Sequence, residues 1–384
     1  MEEHINFAPL LLILFLAFLV PLLLGRARWL PVVVGEIVAG VIIGHSGFNL
    51  VQETAALEIF SNIGLAFLMF LAGLEIDFDR LFPQRNGRLA GSGPNMLLLS
   101  LSAYLLTLGL AIPGGFLLEA MGLQANPLLL AFILSATSLG VLLPVLKQRE
   151  MTFTQTGQAI FYTAMLADFI TVVLLTVYII LLNRGLDLEV FSVVLLFLVF
   201  FLFYRLGIRF FRLPLVRSLV DELSSVTVQI KVRGAIAVLM SFVVLATLLN
   251  LELILGAFMA GMIISLLKTP NDTDLVHKLE AFGFGFFIPI FFILVGVNLD
   301  LRVLFDSPES LLLLPVLLLL SLIIKVFPAF IFRRVMNWRQ VLAAGTLLNT
   351  HLSLEIAVVV IGLRLGLISE PASVTIILFA VATV

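Results

Sequence analysis

Long apolar segments alternate with short polar segments along almost the whole chain of 384 residues. The apolar segments are about 20 residues long, which is the length that an α-helix needs to cross the ~30 Å hydrocarbon layer of a bilayer. They are continuous and rich in Leu, Ile and Phe, unlike the ~10-residue alternating strands of a membrane β-barrel. Because backbone polar groups in lipid must be satisfied inside the protein, this pattern predicts an all-α polytopic membrane protein.

The apolar segments predict about thirteen transmembrane helices. They lie at 6–24, 31–45, 57–76, 95–121, 126–147, 156–182, 190–212, 226–250, 253–267, 280–298, 310–335, 338–364 and 370–384. The first run follows Glu2, Glu3 and His4 rather than a basic region, so we expect it to be retained and not cleaved as a signal peptide.

The composition strengthens this prediction and removes several classes of function. Hydrophobic residues make up 61% of the chain and charged residues 12%, whereas soluble domains have about 45–50% and 25%. The sequence has no cysteine, no GxxxxGK[ST] or HExxH motif and no exposed basic domain. It therefore offers no support for an enzyme, an ATP-driven motor, a nucleic-acid-binding protein or a bound cofactor.

The Lys and Arg residues are divided unequally between the two sides of the predicted membrane domain. One side has only Arg184, Arg302 and Arg364, and Lys325 lies inside a helix. The opposite side has Arg26, Arg28, Arg80, Arg85, Arg88, Lys147, Arg149, Arg205, Arg209, Arg212, Arg217, Lys231, Arg233, Lys268, Lys278, Arg333, Arg334 and Arg339. Because basic loops stay on the cytoplasmic side, we expect an inner-membrane protein with its N-terminus outside and its C-terminus in the cytoplasm.

Two apolar segments contain clusters of polar residues that favour a break in the helix. One cluster is 135–138 (SATS), followed by Pro144, and the other is 349–353 (NTHLS). Corresponding interrupted helices in two halves of a chain are typical of inverted-repeat transporters. The polar segment 205–233 is predicted to join the halves, and the final run 373–384 ends without a polar flank, so we expect a further cytoplasmic segment.

Asp168 is the strongest candidate for chemistry because it lies at the middle of the predicted helix 156–182. A lone carboxylate there costs about 2.5–3.5 kcal/mol and cannot reach water by extending its side chain. A structural role would require a partner on a neighbouring helix. A functional role would be the alternate binding of a proton and a metal cation by the same two oxygens, which is the simplest mechanism of antiport.

Other polar residues inside the predicted helices form a second group of candidates. Lys325 is the only deep cation, and a structural salt bridge and charge compensation beside the ion site both stay open. Glu36 and Glu75 lie near helix ends, which favours a structural or gating role over direct ion binding, whereas for Glu355 both roles stay equally open. The remaining candidates are the hydroxyls Ser135, Thr137, Ser138, Thr350 and Ser353 as ligands or caps, and His351 as a pH sensor or a cap.

Five segments of the chain resemble the cation:proton antiporter-2 family of the sodium/proton exchanger superfamily. They are VGEIVAGVIIG at 34–44, LAFLMFLAGLEID at 65–77, ATSLGVLLPVLK at 136–147, LGAFMAG at 255–261 and FIPIFF at 287–292. The five matches occur in order and span almost the whole chain, so together they are specific where any one would be weak.

The resemblance implies two inverted repeats, at 31–182 and 253–384, joined by linker helices at 183–252. It also implies two discontinuous helices that cross near the midplane, at 126–147 and 338–364, and a homodimer. The family's ion-binding carboxylate corresponds to Asp168, and its basic residue corresponds to Lys325. Family members have an acidic or amide residue before that carboxylate, whereas this chain has Ala167, which leaves stoichiometry and any pairing with Lys325 open.

These observations predict a secondary antiporter that exchanges Na⁺, K⁺ or Li⁺ for H⁺ by alternating access. Asp168 would carry both ions, Thr137, Ser138 and Thr350 would be ligands or caps, and Lys325 would compensate charge. The alternatives are a potassium efflux system regulated by a cytoplasmic domain beyond Val384, a solute symporter of the same fold, and a non-transporting sensor.

Overall fold

The computed structural model describes residues 7–24, 31–52, 54–76, 96–151, 154–184, 190–211, 223, 229–268, 272–302, 309 and 312–384. In these residues the regular structure is helical, apart from an isolated β-bridge between Ala125 and Ile368. The prediction of an all-α protein is therefore confirmed.

The described part of the chain forms sixteen α-helices. They are α1 Ala8–Leu24, α2 Val32–Ile43, α3 Ala55–Leu74, α4 Met96–Ala120, α5 Pro127–Ser135, α6 Leu139–Gln148, α7 Gln155–Arg184, α8 Val190–Phe211, α9 Ile230–Leu248, α10 Leu253–Leu267, α11 Thr273–Phe282, α12 Ile288–Val297, α13 Leu314–Ala329, α14 Trp338–Leu347, α15 Ser353–Arg364 and α16 Glu370–Ala382. Each predicted span contains one of these helices or two consecutive ones. Most ends agree within a few residues, but the span predicted to start at 280 begins at Thr273.

Seven helical segments in the described residues are long and apolar enough to cross a membrane. Four shorter apolar helices, α1, α2, α10 and α16, accompany them. This supports a multi-pass membrane protein, while the count of thirteen crossings and the orientation stay predictions. Several basic residues used for the orientation lie outside the described residues: Arg26, Arg28, Arg80, Arg85, Arg88, Arg212 and Arg217.

A short π-helical segment, Gly283–Phe287, joins α11 to α12 and makes them one continuous element. Pro289 has no backbone N–H, so it cannot bond to the carbonyl of Gly285, one turn earlier. Instead, the N–H of Ile288 bonds to the carbonyl of Gly283, five residues back. π-helical hydrogen bonds of this kind occur mostly as a single turn inside a longer α-helix.

The helices pack as two groups with limited contact between them. The panel bundle contains α1–α3 and α9–α12, and the site bundle contains α4–α7 and α13–α16. The helix α8 contacts α10 in the panel bundle and α7 in the site bundle. The two bundles also meet directly where α3 contacts α15 and where α7 contacts α10. This arrangement divides the described helices into two bundles, with α8 in contact with both.

Two glycines allow α3 and α10 to approach closely inside the panel bundle. A Cβ atom at Gly261 would lie 2.0 Å from the carbonyl oxygen of Phe70, and one at Gly73 would lie 2.1 Å from that of Phe258. Small residues at such crossings are a common device of membrane helix packing, because they bring two backbones together. The panel bundle therefore depends on the absence of side chains at these two positions.

We expect Gly261→Ala to lower the free energy of unfolding by roughly 1–3 kcal/mol, because the added methyl group forces the two backbones apart. The measurement is the thermal unfolding midpoint of the detergent-solubilised protein. The matched control is Gly109→Ala on α4, where a Cβ would have nothing within 4 Å, so the midpoint should be unchanged or slightly higher. Equal midpoints for the two variants would contradict the close packing of α3 and α10.

Candidate functional site

The first predicted break separates α5 from α6. Asn126 caps the start of α5 by accepting the backbone N–H groups of Leu128 and Leu129. The helix ends at Ser135, and Ala136 then has an extended backbone conformation with φ −66° and ψ 161°. Because α6 begins only at Leu139, the last carbonyls of α5 and the first N–H groups of α6 cannot bond to each other as they would in a continuous helix.

The second predicted break separates α14 from α15. Leu352, which precedes α15, has φ −153° and ψ −73°, which no helix contains. Its backbone N–H donates to Glu355 Oε2 at 2.8 Å, so the Glu355 carboxylate closes the first turn of α15. An acidic group at this place also complements the positive end of the helix dipole.

The two breaks cross and satisfy each other's backbone groups. The N–H of Ser138 donates to the carbonyl of Thr350 at 2.8 Å, and the hydroxyl of Thr137 donates to the carbonyl of Leu348 at 2.9 Å. The hydroxyls of Ser138 and Ser353 are 3.3 Å apart. Non-helical backbone at this depth is tolerated only when protein groups or water satisfy it. The predicted pair of crossed discontinuous helices is therefore confirmed.

Lys325 reaches this crossing from α13 and binds the C-terminal end of α5. Its ammonium donates to the carbonyl of Ser135 at 2.8 Å, to the carbonyl of Ala136, and to Thr137 Oγ1 at 2.8 Å. The side chain is buried, and an ammonium has only three N–H donors. All three are used at the helix end, where a positive charge is favourable. Lys325 is thus a charged neighbour of Asp168 but not its hydrogen-bond partner.

Asp168 is buried on α7 and faces the N-terminal end of α6. The backbone N–H of Leu139, the first residue of α6, bonds to its carboxylate. Oδ1 of Asp168 is buried and has no hydrogen-bond partner among the described residues. The charged groups that surround it are Glu355, Glu75 and Lys325. Among the described residues, the carboxylate thus has one oxygen without a partner and more acidic than basic groups around it.

His351 and Glu355 form a second buried polar pair beside the crossing. His351 Nδ1 lies 2.9 Å from Glu355 Oε1, and neither side chain is exposed to solvent. The backbone N–H of His351 donates to Thr383 Oγ1 at 3.0 Å, and its ring packs on Phe379 with centroids 4.9 Å apart. Both residues are therefore buried and joined to each other and to the neighbouring backbone by hydrogen bonds.

A cavity of about 250 Å³ connects the crossing to the end of the protein where α3 terminates. Glu75, which follows α3, lines this cavity together with the Ser138 and Ser353 hydroxyls. Glu36 is buried on α2 in the panel bundle and is not among the charged neighbours of Asp168 in the described part of the chain. Glu75 therefore lies at the edge of the crossing, whereas Glu36 lies apart from it.

A larger cleft of about 920 Å³ enters from the opposite end, where α3 begins. Glu58 and Glu370 lie in its wall, and Arg364 of the site bundle donates to Asn62 of the panel bundle at 3.4 Å. Phe291 also lines this cleft. The neighbouring Phe292 lines the smaller cavity. The two cavities thus approach the middle of the protein from opposite ends.

The structure brings together most of the predicted site residues. Those at the crossing are Asp168, Thr137, Ser138, Thr350, Lys325, His351 and Glu355, with Glu75 at its edge. Thr350 donates its hydroxyl to the carbonyl of Leu347 at 3.1 Å. The prediction missed Tyr104, whose hydroxyl lies 3.0 Å from Thr171 Oγ1. The sequence does indicate the partner of Tyr104, because Thr171 follows Asp168 by three residues and so lies on the same face of the helix.

Comparisons with known proteins agree with this geometry. A putative Na⁺/H⁺ antiporter of Bacillus subtilis, YjbQ, is 39% identical over 98% of this chain, which spans 61% of that protein's length. A probable Na⁺/H⁺ antiporter of Methanocaldococcus jannaschii is 30% identical over 97% of this chain and 92% of its own. The structure of the sodium proton antiporter MjNhaP1 from the same organism has the same fold, with a TM-score of 0.63 and 17% identity over 97% of this chain and 92% of that one.

The family model described as the transmembrane sodium/hydrogen exchanger matches residues 14–384 of this chain. The match includes both crossed helices and every residue placed at the crossing. It confirms the resemblance to cation:proton antiporters found in the five sequence segments. The chain therefore belongs to the sodium/hydrogen exchanger family of membrane proteins.

Proposed function

We propose that this protein is a secondary active antiporter that exchanges a monovalent cation for protons, and so serves ion and pH homeostasis. The observation that carries the proposal is the buried Oδ1 of Asp168, which has no hydrogen-bond partner among the described residues. A polar atom in such a position is costly unless it binds something. A proton and a metal cation both satisfy it, and they exclude each other.

The transported cation would bind between Asp168 and the hydroxyls of Ser138 and Ser353. Alkali cations are hard ions that prefer carboxylate, carbonyl and hydroxyl oxygens, which broken helices present at the membrane midplane. Thr137 already accepts a hydrogen bond from the Lys325 ammonium and donates to a carbonyl, so it would cap the break. Thr350 would act through its backbone carbonyl, which accepts the N–H of Ser138 and so positions that residue. Na⁺, K⁺ and Li⁺ all fit this donor set.

The remaining charged residues would balance and guide ions. Lys325 would neutralise the negative end of α5, and Glu355 with His351 would form a second proton site or a rigid support. Glu75 would attract cations at the entrance of the smaller cavity, and Glu36 would have a structural or gating role. With three carboxyl groups near one ammonium, the site favours the uptake of positive charge as a proton or as a metal cation.

Alternating access would arise from movement of the site bundle against the panel bundle. Two features support this: the bundles have limited mutual contact, and the two cavities reach inward from opposite ends. Leu65 lines one cavity and Leu68 the other, so about one helical turn of α3 separates them. A small displacement of the site bundle could therefore open one side and close the other.

The larger organisation of the protein extends this proposal. The N-terminus would be outside and the C-terminus in the cytoplasm of the inner membrane, which reporter fusions at each end can test. The repeats at 31–182 and 253–384, with linker 183–252, are supported by one broken helix in each. We also propose that the protein is a homodimer embedded in lipid and that a cytoplasmic regulatory domain follows Val384. The mass of the purified full-length protein tests both proposals.

Proton movement in proteoliposomes with an imposed pH gradient tests the proposed function directly. We expect addition of one or more of Na⁺, K⁺ and Li⁺ to collapse the gradient, while choline has no effect because it is too large for the site. Response to K⁺ alone would favour the potassium efflux alternative. If no cation moves protons although the protein is folded and inserted, the antiporter proposal is wrong, and the solute symporter and the sensor become the better accounts.

A further inference from the structure

Tyr104 of α4 forms a hydroxyl cluster with Ser135 and Thr171, deep inside the site bundle. Its hydroxyl lies 3.0 Å from Thr171 Oγ1 and lies near the Ser135 side chain. The hydroxyls of Ser135 and Thr171 are 3.5 Å apart, and all three residues are fully buried. A buried hydroxyl without a partner costs roughly 1–3 kcal/mol, so the three groups hold one another in place.

The hydroxyl cluster connects the helix of the ion-binding carboxylate to the helix end that holds the ammonium. Thr171 lies three residues after Asp168 and on the same face of α7. Ser135 is the last residue of α5, and its carbonyl accepts from Lys325 at 2.8 Å. Tyr104 therefore bonds directly to Thr171 on the Asp168 side of the gap, and Thr171 links it to Ser135 on the Lys325 side.

Lys325 has a chemically favourable alternative to the arrangement observed. All three N–H donors of Lys325 bind the end of α5, while Asp168 Oδ1 has no partner among the described residues. Lys325 is near enough to interact electrostatically with Asp168. If the last turn of α5 moved, one N–H would be released and could bind Oδ1, because an ammonium prefers a carboxylate to a neutral carbonyl. That ion pair would compete with the transported cation.

We propose that Tyr104 is a positioning residue that keeps Lys325 away from Asp168 by holding the last turn of α5 against α7. It thereby sets the affinity of Asp168 for the transported cation. This inference rests on the proposed antiport function. Tyr104 is neutral and contributes no ligand, but it would determine whether Asp168 binds a metal cation or Lys325.

The test is Tyr104→Phe, measured as cation-dependent proton exchange at a series of cation concentrations. We expect the KM for the cation to rise roughly three- to tenfold, in line with the loss of one buried hydrogen bond, while the maximal rate changes less than about twofold. Thr171→Val removes the partner hydroxyl at nearly constant shape and should give the same split. The matched control is Tyr178→Phe on α7, which removes a 2.7 Å bond to Asn126 outside the cluster.

The outcomes separate the two proposals. An unchanged KM in both Tyr104→Phe and Thr171→Val overturns the positioning role, and so does an equal rise of the KM in Tyr178→Phe. A raised KM confined to the cluster variants supports the role. The thermal unfolding midpoint shows whether Tyr104→Phe is folded. If it is not, the KM of Thr171→Val alone tests the positioning role. If the wild type itself shows no cation-dependent exchange, the underlying antiporter proposal fails instead.

Discussion

Asp168→Asn is expected to abolish cation-dependent proton exchange while the protein stays folded. The amide has the shape of the carboxylate, and its oxygen can still accept the N–H of Leu139 at the start of α6. It carries no charge to hold a metal cation, and it cannot take up and release a proton at physiological pH. Exchange measured in proteoliposomes should therefore fall to the rate of protein-free liposomes for every alkali cation.

The control for this variant is Asp272→Asn, which makes the same change at the surface end of α11. Asp272 pairs with Lys231 at 3.0 Å where both side chains are partly exposed, and such pairs contribute about 1 kcal/mol or less. We expect this variant to exchange cations at a rate close to the wild type. Exchange by Asp168→Asn at the wild-type rate would show that Asp168 is not the ion carrier, whatever the activity of the control.

The helices could be predicted well because lipid simplifies the physical problem. A segment in a bilayer must bury every backbone polar group, so the length of an apolar run determines a helix. The two breaks could be predicted from the SATS and NTHLS clusters for the same reason, since polar groups at that depth must be hydrogen-bonded or bind a ligand. The π-helical join at Gly283–Phe287 was not predicted, because it depends on how Pro289 redirects one hydrogen bond.

The site could be predicted only in part. The depth of Asp168 and Lys325 in the membrane follows from their positions along the apolar runs, and depth alone marks them as costly. The direction in which each side chain points depends on the packing of separate helices. For this reason, neither the use of all Lys325 donors at the end of α5 nor the approach of Tyr104 from α4 could be read from the sequence.

The crossing uses the ends of its half-helices in a regular way. Acidic groups meet the N-terminal ends, with Asp168 at α6 and Glu355 at α15. A basic group, Lys325, meets the C-terminal end of α5. Each placement opposes the partial charge of a helix end. The carboxylate that we propose as the ion carrier is therefore also a structural cap, so a proton or a cation bound at Asp168 would act directly on the end of α6.

Lys325→Met should destabilise the protein and impair exchange, because it removes all three hydrogen bonds to the end of α5. Methionine fills a similar volume, so the change in packing is small. Each lost bond involved a charged donor, and such bonds contribute roughly 1.5–3 kcal/mol. The variant also lacks the desolvation penalty of burying an ammonium, which offsets part of this loss. We expect a thermal unfolding midpoint several degrees lower and exchange close to background in proteoliposomes.

Lys268→Met provides a matched comparison for the stability effect. Lys268 also donates to a carbonyl at a helix end, that of Leu74 at 3.2 Å, but it is only part-buried. Water can replace the ammonium there, so the midpoint should change little. If both variants lower the midpoint equally, the end of α5 does not depend on a buried charge, and its other hydrogen bonds, including those to Leu348 and Thr350, hold the break between α5 and α6. A larger effect at Lys325 would mean that its buried ammonium maintains the end of the broken helix.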